Sequence, residues 1–257
     1  MSKVFITGSS TGLGLMAAQL LADKGHQVLV HGRNRGRADA ALAAVPQAHG
    51  AVVGDLSNIR EMRSVAEQVN GYGPFDAVIH NAGMGYQGAR RNETEDSLPQ
   101  LFATNTLAPY VLTALIEKPR RLVYLSSGMH RSVRLNIDDL TWMKRPWRDA
   151  EAYAESKLHD VLIAFGVARR WPSVLSNALE PGWVATRMGG PNAPDDLDAG
   201  RRTQVWLAVS DDRDARVTGQ YFYHIRPLQP NPQVYDTELQ DALVDACERL
   251  SGVKLSA

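Results

Sequence analysis

Tyr153 and Lys157 stand four residues apart in the stretch Ala-Tyr-Ala-Glu-Ser-Lys. On a helix, that spacing puts both side chains on one face. A free tyrosine ionises near pH 10, so little phenolate exists at neutrality. A lysine ammonium one turn away favours the phenolate. Lowering a tyrosine by two pH units corresponds to roughly 2.7 kcal/mol of preferential anion stabilisation. The pair therefore reads as an acid–base tyrosine with an electrostatic helper. Arginine, larger and planar, would fill the helper's place poorly.

A second constellation lies near the N-terminus, in Thr7-Gly-Ser-Ser-Thr-Gly-Leu-Gly14. Gly8, Gly12 and Gly14 follow an apolar run and open a helical pattern. Glycine suits a tight strand-to-helix turn where φ is positive or where backbone must approach a ligand. Free N–H groups at the helix start then face an anion, aided by the helix dipole. Gly8, Ser10, Thr11, Gly12, Leu13 and Gly14 are thus candidate contacts for a dinucleotide pyrophosphate. The first two glycines are three residues apart, unlike the commoner Gly-x-Gly-x-x-Gly. A glycine turn without a ligand is the plainer alternative. Together the two constellations suggest hydride transfer with proton transfer beside it.

The end of the second apolar run bears on which nucleotide would bind. NAD sites usually carry Asp or Glu there for the ribose 2′-hydroxyl. Here the run reads Val30-His31-Gly32-Arg33-Asn34. Arg33 can pair a 2′-phosphate through charge-assisted hydrogen bonds, so NADP(H) is expected over NAD(H), with NAD(H) still possible. Arg35 and Arg37 read instead as a solvated helix start. Asp55 and Leu56 follow the third run and are placed to receive the adenine. Asp55 reads equally as a residue that starts a helix.

These groups need a scaffold. Val4–Thr7, Val28–His31, Ala51–Val53, Ala77–His80, Leu122–Ser126 and Leu175–Leu179 read as strands buried on both faces, with Gln220–His224 a seventh. Leu13–Lys24, Asn58–Asn70, Leu98–Glu117 and Ala152–Arg170 carry helical apolar spacing between them. Gly25 suits the end of the first helix. The alternation predicts an α/β, doubly wound, parallel sheet in a single domain over residues 1–257. Pro and Gly gather at 181–194 and 226–232 as loops within that domain. Asp236–Leu250 reads as a closing amphipathic helix whose Leu239, Leu243 and Leu250 meet the core.

Composition narrows the classes further. The 257 residues suffice for one full core. Lys plus Arg (28) balances Asp plus Glu (28), so nothing favours a nucleic-acid surface. Charged residues or glycines interrupt every apolar run, and no signal-peptide pattern precedes the first strand, so no membrane association is expected. Cys247 is the single cysteine, which rules out an internal disulfide and fits a reducing, cytoplasmic setting. The histidines lack metal-ligand spacing, so no catalytic metal is expected.

With these residues in view, the chain resembles the short-chain dehydrogenase/reductase family over nearly its whole length. The matching marks, in order, are Thr7-Gly8-x-x-x-Gly12-x-Gly14, Asp55-Leu56, His80-Asn81-Ala82-Gly83, Asn105, Ser126-Ser127, Tyr153-x-x-x-Lys157 and Pro181-Gly182. His80 departs from the family's first asparagine. Tyr153 lies 26 positions after Ser127, a long gap similar to that of retinol-dehydrogenase-like and related carbonyl-reducing members. The resemblance implies a Rossmann-type sheet of about seven strands, usually in a homodimer or homotetramer. It implies Tyr153 as the proton-transferring group and Lys157 also on the nicotinamide ribose. Ser127 is expected on the substrate oxygen, ahead of Ser126, and Asn105 on a relay water; by residue type alone, Asn105 reads as a helix kink or cap. Asn81, Ala82 and Gly83 end the fourth run at the carboxyl edge, where small residues allow close approach to the adenosine ribose; a structural turn is the plainer alternative. Pro181, Gly182, Val184 and Thr186 are implied beside the nicotinamide.

The substrate side is expected in Met129–Ala150, with Trp142, Met143 and Trp147, and in a flap over roughly 187–205, with Met188, Pro191, Pro194 and nearby Trp206. Tyr86 and Gln87 are further lining candidates. Such a lining suits a small hydrophobic aldehyde, ketone or alcohol. The same aromatics would equally pack a flap or a subunit interface. Two competing classes remain: a nucleotide-binding sensor without turnover, and an epimerase or dehydratase on the same scaffold. The first would usually show a damaged catalytic set, and the second a larger C-terminal substrate domain.

Overall fold

In the computed structural model, which describes residues 1–86, 88 and 90–256, the short apolar runs become strands of one sheet. They are β1 (Lys3–Ile6), β2 (Gln27–Gly32), β3 (Gly50–Val53), β4 (Ala77–His80), β5 (Arg121–Leu125), β6 (Leu175–Glu180) and β7 (Tyr221–Tyr223). The order is β3-β2-β1-β4-β5-β6-β7, all parallel, and an eighth strand, β8 (Arg226–Pro227), pairs antiparallel with β7. Seven strands were expected from the sequence. The eighth is a two-residue return, too short and too exposed to carry an apolar signal.

Alternation along each strand feeds two cores. Phe5, Leu122 and Tyr124 point to one face of the sheet, and Val4, Ile6, Val123 and Leu125 to the other. Helices α1 (Gly12–Asp23) and α7 (Leu197–Val209) cover the second face. Helices α3 (Ile59–Gly71), α5 (Ala108–Leu115), α6 (Asp149–Arg170) and α8 (Thr237–Ser251) cover the first. A helix α2 (Arg35–Ala44) joins β2 to β3. Gly25 ends α1 at φ +78°, as its type suggested. Asp236 caps α8 by accepting from the Glu238 and Leu239 amides, and Gly252 closes it at φ +63°. Leu243 is buried beneath that helix, whereas Leu250 lies on its exposed side.

Two segments depart from the sequence expectation. The run expected over Leu98–Glu117 is α4 (Gln100–Phe102) and α5 joined by a π turn at Ala103–Leu107. Residues 187–205 are not one flap: loop continues to Asp196, which caps α7, and from Leu197 the chain is a packed helix. Trp206 accordingly packs edge-on against Phe222 at the margin of the core, with ring centroids 5.6 Å apart.

Helix α6 carries the Tyr-Lys pair and is enclosed on all sides. Nearly every residue from Ala152 to Val167 is buried, including Glu155, Ser156, His159 and Asp160. Asp149 and Glu151 in its first turn and Arg169 and Arg170 in its last complement the helix dipole. Among the described residues, no helix is long and apolar enough to cross a membrane.

Candidate active site

A cleft of about 590 Å³ opens along the carboxyl ends of the strands, where open parallel sheets bind ligands. One end is floored by Gly8, Ser10, Thr11, Gly12, Leu13 and Gly14. Gly8 and Gly12 hold φ of +64° and +58°. A Cβ on Gly14 would meet Asn81 Nδ2 at 2.3 Å, and one on Gly8 would meet Ala82 Cα at 2.8 Å. Glycine is therefore required at both. Asn81 donates to the Thr7 carbonyl (2.9 Å), and the Ala82 amide donates to Thr7 Oγ1 (2.9 Å), so these residues brace the loop as well as lining the cleft. The Thr11 side chain makes no capping bond, and no acidic residue sits in the first turn of α1. The first amides of α1 thus remain available to an anion.

His31 has a part that its sequence context did not reveal. Its Nδ1 accepts from the Gly8 amide (2.9 Å), so the ring proton sits on Nε2 and is donated to the Gly54 carbonyl (2.9 Å). Its own amide donates to Ser9 Oγ (2.7 Å). Burial lowers its pKa, and a neutral ring is what these bonds need.

Arg33 and Arg37 both line the cleft beyond this loop. Arg37 is a correction, since it was expected on a solvated helix start. Arg35 does lie in solvent, paired with Asp39. Gly32 has no room for a side chain: a Cβ would meet the Ala38 nitrogen at 2.3 Å. Asp55 and Leu56 lie on the wall. One Asp55 oxygen accepts from the Ser57 amide (2.9 Å) and hydroxyl (2.8 Å), which fixes the turn ahead of α3, while Asn58 caps the helix itself.

At the other end stand Tyr153 and Lys157, with Leu125, Ser126, Met84 and Gly85 nearby. Tyr153 packs edge-on against Tyr86, with ring centroids 5.8 Å apart. Lys157 Nζ donates to the Leu125 carbonyl (2.9 Å) and to Asp160 Oδ2 (2.8 Å). Burial works against the ammonium, but the Asp160 carboxylate, with Tyr153, more than offsets it and holds the Lys157 pKa above its ordinary value.

The serines part in an unexpected way. Ser126 lines the cleft, but its hydroxyl donates to the Lys157 carbonyl (2.7 Å). Ser127 is half-buried beside the cleft and is not on its wall. Its Oγ accepts from the Met129 amide (3.3 Å), which leaves its own proton free to donate. Asn105 also stands behind the wall, fully buried at the centre of the π turn. Its side chain donates to the Met84 carbonyl and Ser156 Oγ (each 3.0 Å) and accepts from the Met84 amide (2.9 Å). Gly83 keeps a gap open there: a Cβ would touch Lys157 Nζ at 3.4 Å and Asn105 Oδ1 at 3.5 Å.

Pro181 and Thr186 line the cleft, with Arg187 and Met188 after them. Gly182 and Val184 do not. Gly182 turns the chain at φ +85° against Asp195, and Val184 is buried, bridged to Asp195. Met188 reaches back across the cleft to Gly85.

The long segment before Tyr153 packs as an apolar cluster behind the cleft and does not line it. Trp142 packs with Leu101, Ala152 and Tyr153, joined by Met84, Met129 and Trp147. Arg145 clamps this segment to α6 through a two-pronged pair with Glu155 (2.7 and 2.6 Å), with its guanidinium 3.6 Å from the Trp142 ring centre. Burial raises the Glu155 pKa, and Arg145 opposes that rise. Gln87 lies outside the described residues. Among those described, no cluster of His, Cys, Asp or Glu could hold a metal ion.

A family model described as short chain dehydrogenase matches residues 2–125. The short-chain dehydrogenase chyC of Penicillium rubens is 38% identical, with all of both chains aligned. A crystal structure of a protein from Mycobacterium paratuberculosis superposes with a TM-score of 0.86 at 26% identity, covering 100% of this chain and 96% of that one. A blue fluorescent protein from a metagenomic library, solved with NADPH, superposes at 0.71 and 21% identity, covering 86% and 95%.

Proposed function

The chain belongs to the short-chain dehydrogenase/reductase family, and we propose that it interconverts a hydrophobic aldehyde or ketone with its alcohol, using NADP(H) and Tyr153 as general acid and base. The observation that carries this reading is one continuous cleft with a glycine loop at one end and Tyr153 and Lys157 at the other. The residues present fit a dinucleotide. Gly8 and Gly12 turn the loop at positive φ, and the start of α1 offers amides. Arg33 and Arg37 suit a 2′-phosphate, and no carboxylate can stand at Gly32 to claim a 2′-hydroxyl. When bound, this cofactor supplies or accepts the hydride.

The chain's own residues handle the oxygen. Tyr153 gives its proton to the carbonyl oxygen during reduction and takes it from the alcohol in reverse. Ser127 has a hydroxyl proton to donate to that oxygen, which would hold the carbonyl in line. Lys157 favours the phenolate and keeps Tyr153 able to cycle. The gap above Gly83, between Lys157 Nζ and Asn105 Oδ1, gives a water room to reload the proton. Met84 and Met188 on the cleft wall, with Tyr86 edge-on to Tyr153, favour an apolar substrate.

The test is Tyr153→Phe, assayed with NADPH on a panel of aldehydes, ketones and quinones. Loss of the acid–base group should cost about 10²–10⁴-fold in kcat with cofactor affinity retained. Near wild-type turnover would overturn the mechanism. Cofactor binding without turnover by the native protein on any of the panel would point to a regulatory binder.

A further inference from the structure

Lys157 is held from behind by a carboxylate that takes no part in the chemistry above. Asp160 lies three residues further along α6, on the same face. The two side chains are 7% and 3% exposed, so their ion pair is almost wholly desolvated. Asp160 does not line the cleft and reaches it only through Lys157. Its carboxylate accepts from Lys157 Nζ at 2.8 Å, while the Leu125 carbonyl accepts a second ammonium proton at 2.9 Å. An ammonium has three N–H donors. With two fixed inside the protein, the third is left for the cleft.

The second consequence is one of charge. An ammonium paired at this distance in a poorly polarisable interior presents a dipole, not a full positive charge, to groups on its other side. Apart from one another, the titratable groups facing the pair are Tyr153 on the same helix and Tyr124 on β5. Tyr124 is hydrogen-bonded to Thr113 and packed against the tilted ring of His80, which burial keeps neutral. Tyr153 is therefore the group through which a change at Asp160 reaches the cleft.

We propose that Asp160 is a positioning residue that orients and partly neutralises Lys157, and so sets the pH at which Tyr153 exchanges its proton. This rests on the reading of Tyr153 as the acid–base group. Burial pushes the Asp160 carboxyl up to about 6, with Lys157 opposing, so the balance is held through neutral pH and weakens on acidification.

Asp160→Asn keeps the shape and an acceptor for Lys157 but removes the charge. Asp160→Ser, smaller and neutral, serves if the amide is not accommodated. Two readouts apply. One is the pH profile of kcat for alcohol oxidation. The other is the tyrosinate absorbance of the protein without substrate, taken as the difference between each protein and its Tyr153→Phe counterpart. Burial pushes Tyr110, Tyr124 and Tyr221 upward, which keeps them out of the titration window. Removing the negative charge should move both midpoints down by about one pH unit, the scale of a near charge. NADPH affinity should stay within about threefold, since removing a group outside the cleft deletes no direct contact. Midpoints that are unmoved or raised, with a rate lowered equally at every pH, would overturn the proposal and leave Asp160 a structural residue. If the native protein turns over no substrate, the functional reading fails, yet the absorbance midpoint still decides the case of Asp160.

Discussion

Arg145 ties the apolar cluster to the catalytic helix, and removing its charge should have an effect whose size follows from the geometry. Arg145→Met keeps much of the aliphatic length and deletes the fork. Two charge-assisted hydrogen bonds to Glu155 are lost, at 2.7 and 2.6 Å, along with the cation–π contact at 3.6 Å over Trp142. Bonds of this kind contribute about 1.5–3 kcal/mol each, and the ring contact about 1 kcal/mol. Arg145 is 21% exposed against 3% for Glu155, so water screens part of the gain. A net loss of about 3 kcal/mol is expected, within the range seen when one partner of a buried pair is removed. With an m-value near 3 kcal/mol per molar urea, the midpoint falls by about 1 M. The loss also has a pH signature. Burial already raises the Glu155 pKa, and without Arg145 it rises further. A raised carboxyl binds its proton earlier in the folded state, so stability is lost as pH climbs through the folded value and regained on acidification. The deficit should therefore be largest at pH 7 and shrink towards pH 4.5. Substrate KM should rise with it, because the Trp142 cluster that packs against Tyr153 loses its anchor. A variant within about 0.5 kcal/mol of the native protein at pH 7, or a deficit independent of pH, would refute the clamp.

Three further outcomes follow from the same geometry. Gly83→Ala meets Lys157 Nζ and Asn105 Oδ1 at ordinary contact distances, so the unfolding midpoint should hold while kcat falls by about tenfold; equal kcat would show that the gap carries no proton. Arg33→Ala should cut the preference for NADPH over NADH by about tenfold, and Arg33→Ala with Arg37→Ala by more, in a fluorescence titration; an unaltered ratio removes both arginines from 2′-phosphate recognition. Burial holds His31, His80, His130 and His159 below their unfolded values, so the stability they permit is present above pH 6.5 and lost on acidification, while the raised Asp160 acts in the opposite sense. The histidines outnumber the opposing carboxyls, so stability should rise with pH between about 5 and 6.5 in denaturant titrations, and a flat profile would contradict it.

Features of the site set by near neighbours in the chain could be read from residue order. Gly8 and Gly12 adopt left-handed backbone that glycine tolerates, and Tyr153 and Lys157 share a helix face because four residues make about one turn. The parallel sheet was legible because β1, β2, β4 and β5 are largely buried on both faces and carry runs of at least three apolar residues. Groups defined by distant partners were not. Arg37 looks like a surface residue until α2 folds back over β2 and turns it towards the cleft. His31 is one histidine among seven until the Gly8 amide and the Gly54 carbonyl close on its ring. Ser126 and Ser127 are alike in sequence, and their roles separate only when the Lys157 carbonyl takes the hydroxyl of the first.

By itself, then, the sequence determined the family, the order of the sheet's seven parallel strands along the chain, the glycine loop and the Tyr153–Lys157 pair. Tertiary structure alone decided the cleft that joins them, the π turn that buries Asn105, the helix that begins at Leu197 where a flap was expected, and the Arg145 and Asp160 pairs that brace α6. The physical reason is one of range. Backbone conformation and helix periodicity act over a few residues, whereas burial, hydrogen-bond satisfaction and charge pairing depend on what the fold brings within about 4 Å.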